Sequence, residues 1–264
     1  MLRSLTALLA AAGVALSGVS AHAQDGASCP DELQLGIEAQ YPPFQYKDED
    51  GAYKGFDVDI AEAICDEMGM DCAWVEVAWA AMIPALKAKK YDVAVGSMAA
   101  TDRRDQQVDF TNKYYDGAVQ FVGRKDMDVE ISKEGLEGLT VGVQRATTQE
   151  KLVTNRFAGV MDVRTYDTQK EVNLDLINGR LDLMVADRIV IDWSFLQSED
   201  GQPFAFKGPK FGGPKYYGDG IAFAVREGDD RMRRCMNAGI AAIRENGTYQ
   251  EISNEHFGRN IYNG

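Results

Sequence analysis

Histidine is almost missing from this chain: its 264 residues include two, and His22 falls in a leader-like stretch. With only His256 left, no Ser-His-Asp or Cys-His catalytic set can be assembled, and a histidine-based metal site is excluded. Cysteine is nearly as scarce, with four residues and no C-x-x-C pair, which argues against a thiolate metal site as well. No apolar run reaches the ~18 residues a membrane helix requires. Basic residues are outnumbered, 28 against 41 acidic ones, for a formal charge of −13 and a pI near 4.7. That balance excludes nucleic acid and anionic lipid as partners, because binding phosphates takes clustered Lys and Arg. No phosphate-cradling glycine loop occurs either, and no cofactor is expected.

The first segment reads as a signal peptide rather than as structure. Arg3 supplies the positive start, Leu5 to Val19 a short apolar core, and Ala21-His22-Ala23 a cleavage site, so residues 1–23 are removed on export. A lipid anchor at Cys29 is the alternative, opposed by the polar Asp25-Gly26-Ala27-Ser28 before it. In an exported chain the four cysteines suggest disulfides. Cys65 and Cys72, seven apart at a helix end and a strand start, suit a local clip. Cys29 and Cys235 can pair only if the two ends of the chain share a lobe. Free buried thiols are the other reading for both pairs.

Short apolar runs alternate with amphipathic segments, which predicts an α/β fold. Strands are expected at 33–38, 73–77, 92–96, 118–123, 139–144, 161–166, 182–186 and 221–226. Helical faces are formed by Phe56, Ile60, Ala63 and Ile64, by Met82, Ile83 and Leu86, and by Leu174, Leu176 and Ile177. Two closing helices, over about 229–257, are separated by Asn246-Gly247. The chain also echoes itself. Leu33-Gln-Leu-Gly-Ile-Glu38 resembles Leu139-Thr-Val-Gly-Val-Gln144, and Lys90-Tyr-Asp-Val-Ala-Val-Gly-Ser97 resembles Arg180-Leu-Asp-Leu-Met-Val-Ala-Asp187. The same order of both motifs in both halves predicts two similar lobes. Open α/β sheets bind ligands beyond the carboxyl ends of their strands, so Glu38, Ser97, Gln144 and Asp187 are expected around one cleft.

The polar groups fit such a cleft. Gly96-Ser-Met-Ala-Ala-Thr-Asp-Arg-Arg-Asp105 leads from a strand end through small residues into a short helix that Thr101 can cap. Gly96, Ser97 and Ala99 let backbone N–H groups approach an anion, and Arg104 offers it a two-pronged fork; a surface ion pair with Asp102 or Asp105 is the bland reading. Gln144 to Gln149 repeats the strand-to-helix passage, with hydroxyls at Thr147 and Thr148. Asp187, straight after an apolar run, needs a positive partner, either a ligand ammonium or Arg188. Tyr41 and Trp79 follow equivalent strands and can flank a ligand side chain. Carboxylates and lysines remain the only groups for acid–base catalysis, and the chain reads as a non-enzyme.

Tyr41-Pro-Pro-Phe44, Gly55-Phe-Asp-Val-Asp-Ile60, Ile83-Pro-Ala-Leu-Lys87, Thr101-Asp-Arg-Arg104, Val141-Gly-Val143 with Thr147-Thr-Gln-Glu150, Gly179-Arg-Leu-Asp182 and Tyr217-Gly-Asp-Gly220 run in order along essentially the whole mature chain. In this set the sequence resembles the periplasmic polar amino-acid-binding proteins of ABC importers. It looks most like their lysine/arginine/ornithine- and histidine-binding branch, with the opine-binding proteins nearby. The resemblance implies a type II periplasmic-binding-protein fold, two α/β lobes joined by a two-segment hinge. Lobe 1 would comprise residues 24–116 and 217–264, and lobe 2 residues 117–216, which puts Cys29 and Cys235 together; the Cys65/Cys72 clip has a counterpart in that branch. It also implies a monomer that captures a basic amino acid and hands it to a membrane permease.

By the family pattern Arg104 grips the ligand α-carboxylate, helped by N–H groups near Ser97 and Thr148, and Asp187 takes the α-ammonium. Tyr41 and Trp79 flank the side chain, Glu38 receives its distal cation, and Gln144, Thr147 and Gln149 line the second lobe. Three departures bear on the ligand. Glu38 is one methylene longer than the usual Asp, Gly96 and Ala99 stand where hydroxyls are common, and Arg145-Ala146 replaces the usual Gln-Gly. Together with Trp79 these bring an opine-type ligand into view. A cyclohexadienyl dehydratase-like enzyme on the same fold and a sensor subunit for a signalling receptor are the rival readings.

Overall fold

The computed structural model describes residues 29–263, so the expected signal peptide lies outside the described residues. In chain order its strands are β1 (Glu32–Ile37), β2 (Gln40–Tyr41), β3 (Gln45–Lys47), β4 (Tyr53–Lys54), β5 (Asp71–Glu76), β6 (Val93–Ala94) and β7 (Val108–Phe110). They continue as β8 (Ala118–Arg124), β9 (Thr140–Gln144), β10 (Asp162–Tyr166), β11 (Leu183–Asp187), β12 (Phe204–Gly212) and β13 (Ala224–Arg226). The helices are α1 (Phe56–Met68), α2 (Met82–Lys87), α3 (Asp102–Asp105), α4 (Thr148–Arg156), α5 (Gln169–Ile177), α6 (Arg188–Ile191), α7 (Pro214–Tyr217), α8 (Asp230–Glu245) and α9 (Thr248–Phe257).

Two five-stranded sheets carry the fold, in the orders β5-β1-β6-β13-β7 and β10-β9-β11-β8-β12. Their designs coincide. In each, the second strand has parallel neighbours on both sides, and the fourth runs antiparallel to both of its neighbours. The mixed α/β, two-lobed architecture expected from the repeat is therefore present, one sheet to each lobe. The first sheet draws strands from both ends of the chain and the second from its middle. Two segments connect them and lie side by side: Tyr114 N–H donates to Ile221 O at 2.8 Å and Ile221 N–H to Tyr115 O at 2.9 Å.

Every expected strand is found, although those at 92–96 and 221–226 are reduced to Val93–Ala94 and Ala224–Arg226. The strands beyond expectation lack a readable period. β2, β3, β4 and β7 are two or three residues long. In β12 the Gly208-Pro209 pair interrupts the alternation, and its register shifts between Lys207 and Phe211; such residues are tolerated because the strand lies at the sheet edge.

Both cysteine pairs are bridged, Cys65 to Cys72 and Cys29 to Cys235. The second bridge fastens the chain start to α8, and a sulfur so engaged cannot carry a lipid, which removes the anchor alternative. Among the described residues no helix is long and apolar enough to cross a membrane.

Candidate functional site

At the carboxyl ends of both sets of parallel strands lies a small, tightly lined cavity, the place where open α/β sheets bind ligands. Glu38 directly follows β1, Ser97 lies three residues beyond β6, and Gln144 and Asp187 terminate β9 and β11. All four line the cavity, together with Tyr41, Trp79, Gly96, Ala99, Arg104, Thr147, Thr148 and Gln149. The structure thus brings the twelve residues singled out from the sequence to one place.

Arg104 contributes the cavity's cation. Its Nη1 donates to Ala99 O at 3.0 Å, and its Nη2 reaches across to Ala146 O at 3.1 Å. The guanidinium lies 5.2 Å from the centre of the Trp79 ring. These partners are neutral, and no pairing with Asp102 or Asp105 is formed. Burial pushes the Arg104 pKa down to about 10, because a desolvated charge without a counter-ion is disfavoured.

Two carboxylates face the same space. Glu38 is 4 % exposed and accepts a hydrogen bond from Gln144 Nε2 at 2.7 Å. Burial raises its pKa to about 7, against the opposing effect of that bond. Asp187 accepts from the Tyr217 hydroxyl at 3.0 Å and, as the cap of α6, from Ile189 N–H at 2.9 Å. Its pKa rises to about 6, again chiefly through burial. Arg188 does not neutralise it. That side chain turns away, donating to Gln120 Oε1 at 2.6 Å and lying 4.2 Å from the centre of the Phe206 ring.

The remaining liners are set by local backbone. Thr147 caps α4: its hydroxyl accepts from Glu150 N–H at 3.1 Å and donates to Gln144 O at 2.7 Å. Thr148 then opens the helix with an N–H that has no intrahelical acceptor, while its hydroxyl donates to Gln149 Oε1 at 3.0 Å. Thr101 stands at the start of α3 without a side-chain cap bond, contrary to expectation. Ser97 and Ala146 adopt left-handed backbone, with φ 51° and 60°, a conformation costing about 1–2 kcal/mol in residues other than glycine.

Two of the departing residues, Gly96 and Arg145, find physical explanations. A Cβ at Gly96 would sit 3.1 Å from Met82 Cε and 3.5 Å from the Trp79 ring, so the position has little room for a hydroxyl-bearing side chain. Arg145 is drawn out of the cavity into an exposed ion pair with Asp167 at 2.9 Å.

Two residues were missed. Tyr217 lines the cavity and holds Asp187; its sequence signal was the Tyr217-Gly-Asp-Gly220 motif, read for resemblance and not for contact. Asp57, fully buried behind the cavity, accepts from Ser97 Oγ and from the Tyr114 hydroxyl, both at 2.8 Å. Burial raises its pKa to about 7. An acid in the first turn of an amphipathic helix reads as an ordinary surface residue, so nothing in the pattern flagged it.

Comparison with known proteins agrees with this architecture. The profile of bacterial extracellular solute-binding proteins, family 3, matches residues 33–259. The L-arginine-binding protein of Pseudomonas aeruginosa is 43% identical over 232 residues, covering 87% of this chain and 89% of its own. The lysine/arginine/ornithine-binding periplasmic protein of Escherichia coli is 34% identical over 249 residues, covering 94% and 95%. Among solved structures, an ancestral arginine-binding protein bound to glutamine superposes with a TM-score of 0.80 at 33% identity, covering 88% of this chain and all of that one. The chain belongs to the family 3 extracellular solute-binding proteins.

Proposed function

From membership of this solute-binding family, we propose that the protein captures a basic L-amino acid (arginine, lysine, ornithine or histidine) outside the cytoplasm and delivers it, as a monomer, to an ABC-type permease. One observation carries the reading. The cavity sets one half-buried cation, Arg104, against two buried carboxylates, Glu38 and Asp187, none of them in an ion pair. The complement of that charge pattern is a molecule with one anion and two cations, which is a basic α-amino acid. Arg104 takes the α-carboxylate, with the N–H of Thr148 beside it, Asp187 the α-ammonium, and Glu38 the distal cation; Tyr41 and Trp79 enclose the carbon chain.

The two relatives that bind arginine or lysine, arginine and ornithine support the same class by their names. Residues 24–116 with 217–264 form one moving body and 117–216 the other, closing over the ligand at the paired connecting segments. The protein acts as a receptor, not an enzyme: Asp187 offers a grip for an ammonium, which a dehydratase-like site would lack.

Calorimetric titration with arginine, lysine, ornithine, histidine, glutamine and octopine tests the assignment. Arginine or another basic amino acid should bind most tightly. Arg104→Ala should cost about 3–5 kcal/mol, or roughly a hundredfold or more, since it strands a desolvated carboxylate. Undiminished affinity in that variant would remove the site assignment. Product formation from prephenate or arogenate would favour the enzyme.

A further inference from the structure

Beyond Arg104, which with Thr147 and Thr148 lines both, the cavity opens into a wider groove. Ala80, Ile83 and Pro84 form an apolar wall on the first-sheet side, and Leu152 of α4 faces them from the second-sheet side. Four exposed cations rim it: Arg103 on α3, Lys151 and Arg156 on α4, and Lys215 on α7. No Asp or Glu lines it. In a chain with 41 acidic and 28 basic residues, an acid-free stretch of surface with four cations is a local reversal of sign.

The cations are not consumed internally. None of the four forms an ion pair among the described residues. Arg156 is held in place, donating to the Tyr216 hydroxyl at 3.0 Å and lying 5.2 Å from the centre of the Phe211 ring. Lys215 lies 5.4 Å from the centre of the Tyr216 ring. The charges stand on three separate elements around an apolar strip, a pattern suited to a chain that carries both acidic and apolar side chains.

We infer that this groove is a docking surface for an acidic segment of a partner polypeptide. The strongly negative remainder of the molecule would repel such a segment, so the groove would orient the encounter as well as hold it. Its walls come from both lobes, so a docked segment binds the closed arrangement better than an open one. By linkage, a ligand that closes the cleft must tighten segment binding by the same factor that the segment tightens ligand binding.

The inference rests on the proposed function only for this coupling, and the two are tested separately. A fluorescently labelled peptide of Glu-Glu-Leu repeats is titrated with the protein at low salt, with and without saturating arginine, and followed by anisotropy. Binding should occur without arginine, weaken at near-physiological salt, and tighten several-fold when arginine is added. The triple variant Arg103→Glu/Lys151→Glu/Lys215→Glu should bind the peptide about tenfold or more weakly, while its arginine affinity by calorimetry stays within about twofold of the parent's. Three results overturn the inference: no peptide binding at low salt, undiminished binding by the triple variant, or stoichiometric displacement of the peptide by micromolar inorganic phosphate, which would mark a small-anion site. If arginine binds but leaves peptide affinity unchanged, the groove is not shared between the lobes and the coupling is wrong. Failure of arginine to bind at all would count against the proposed function and leave the peptide titration intact.

Discussion

In its proposed role, Glu38 couples ligand choice to pH. Its carboxylate is buried, has Gln144 as its hydrogen-bond partner, and has a pKa raised from 4.5 to about 7. Asp187 and Asp57 are shifted the same way, to about 6 and about 7. The sign follows from proton counting: between the ordinary carboxylate range and these raised values the folded, ligand-free protein binds more protons than the unfolded chain. These groups contribute most to stability below about pH 4, and that contribution is lost as pH rises through 6 to 7. A cation placed against Glu38 reverses the preference and favours the ionised form. Arginine affinity should therefore rise between about pH 5 and pH 7, with proton release on binding, and level off above. Glutamine, which brings no distal cation, should lack the part of the rise that belongs to Glu38, and so should arginine with Glu38→Gln. Calorimetry in buffers of different ionisation enthalpy reads the protons directly; identical pH profiles for the two ligands would take Glu38 out of this role. At this scale the sequence was unusually legible, because strand-end residues of open sheets converge by topology. Asp57 and Tyr217 were not, because what they do depends on contacts 40 and 30 residues away, with Ser97 and Asp187.

Among the elements, the echo between the two halves has a common steric cause. A Cβ on Gly36 in β1 would overlap the Tyr91 ring, and one on Gly142 in β9 would overlap the Leu181 side chain. Tyr91 and Leu181 occupy matching places in the second repeated motif, each one residue before an aspartate. Those aspartates behave alike: Asp92 Oδ2 accepts from Gln34 N–H at 3.1 Å, and Asp182 Oδ2 accepts from Thr140 N–H at 2.8 Å. The glycine admits the large side chain, and the aspartate pins the incoming turn to the start of the neighbouring strand. Periodicity and Gly/Asp spacing therefore made this pair of units readable in the sequence. β2, β3, β4 and β12 were unreadable because their pairing is decided by partners distant in the chain, with no alternation of their own. Overpacking such a site costs about 1–3 kcal/mol. Gly36→Ala should lower the urea midpoint at constant slope, and by more than Gly142→Ala. The Tyr91 ring is rigid and its hydroxyl donates to Met82 O at 2.5 Å, whereas the Leu181 branch can rotate aside. Equal midpoints for parent and Gly36→Ala would contradict this account of the repeat.

For the whole molecule, the first lobe is a discontinuous body, and this determines what its two disulfides do. β1, β5, β6 and β7 come from the first part of the chain and β13 from its end, with the entire second sheet between them. α1 and α8 pack together through Ile64 and Gly239, where a Cβ on Gly239 would lie 2.5 Å from Ile64 Cγ2. Cys29–Cys235 closes that body over a separation of 206 residues, whereas Cys65–Cys72 spans 7. In the chain-entropy view the long closure removes far more freedom from the unfolded state, about 5 kcal/mol against about 2 for the short one. Replacing Cys29 and Cys235 with serine should therefore lower the unfolding free energy by roughly 3–5 kcal/mol, and the same change at Cys65 and Cys72 by about 2. Neither pair lines the cavity, so arginine affinity measured well below the unfolding transition should be unchanged in both variants. Denaturant titration with and without saturating arginine separates these effects, because ligand adds the same increment wherever the folded site is intact. A larger loss from the short clip than from the long bridge would mean that native-state geometry, and not constraint of the unfolded chain, governs how the ends of this lobe are held.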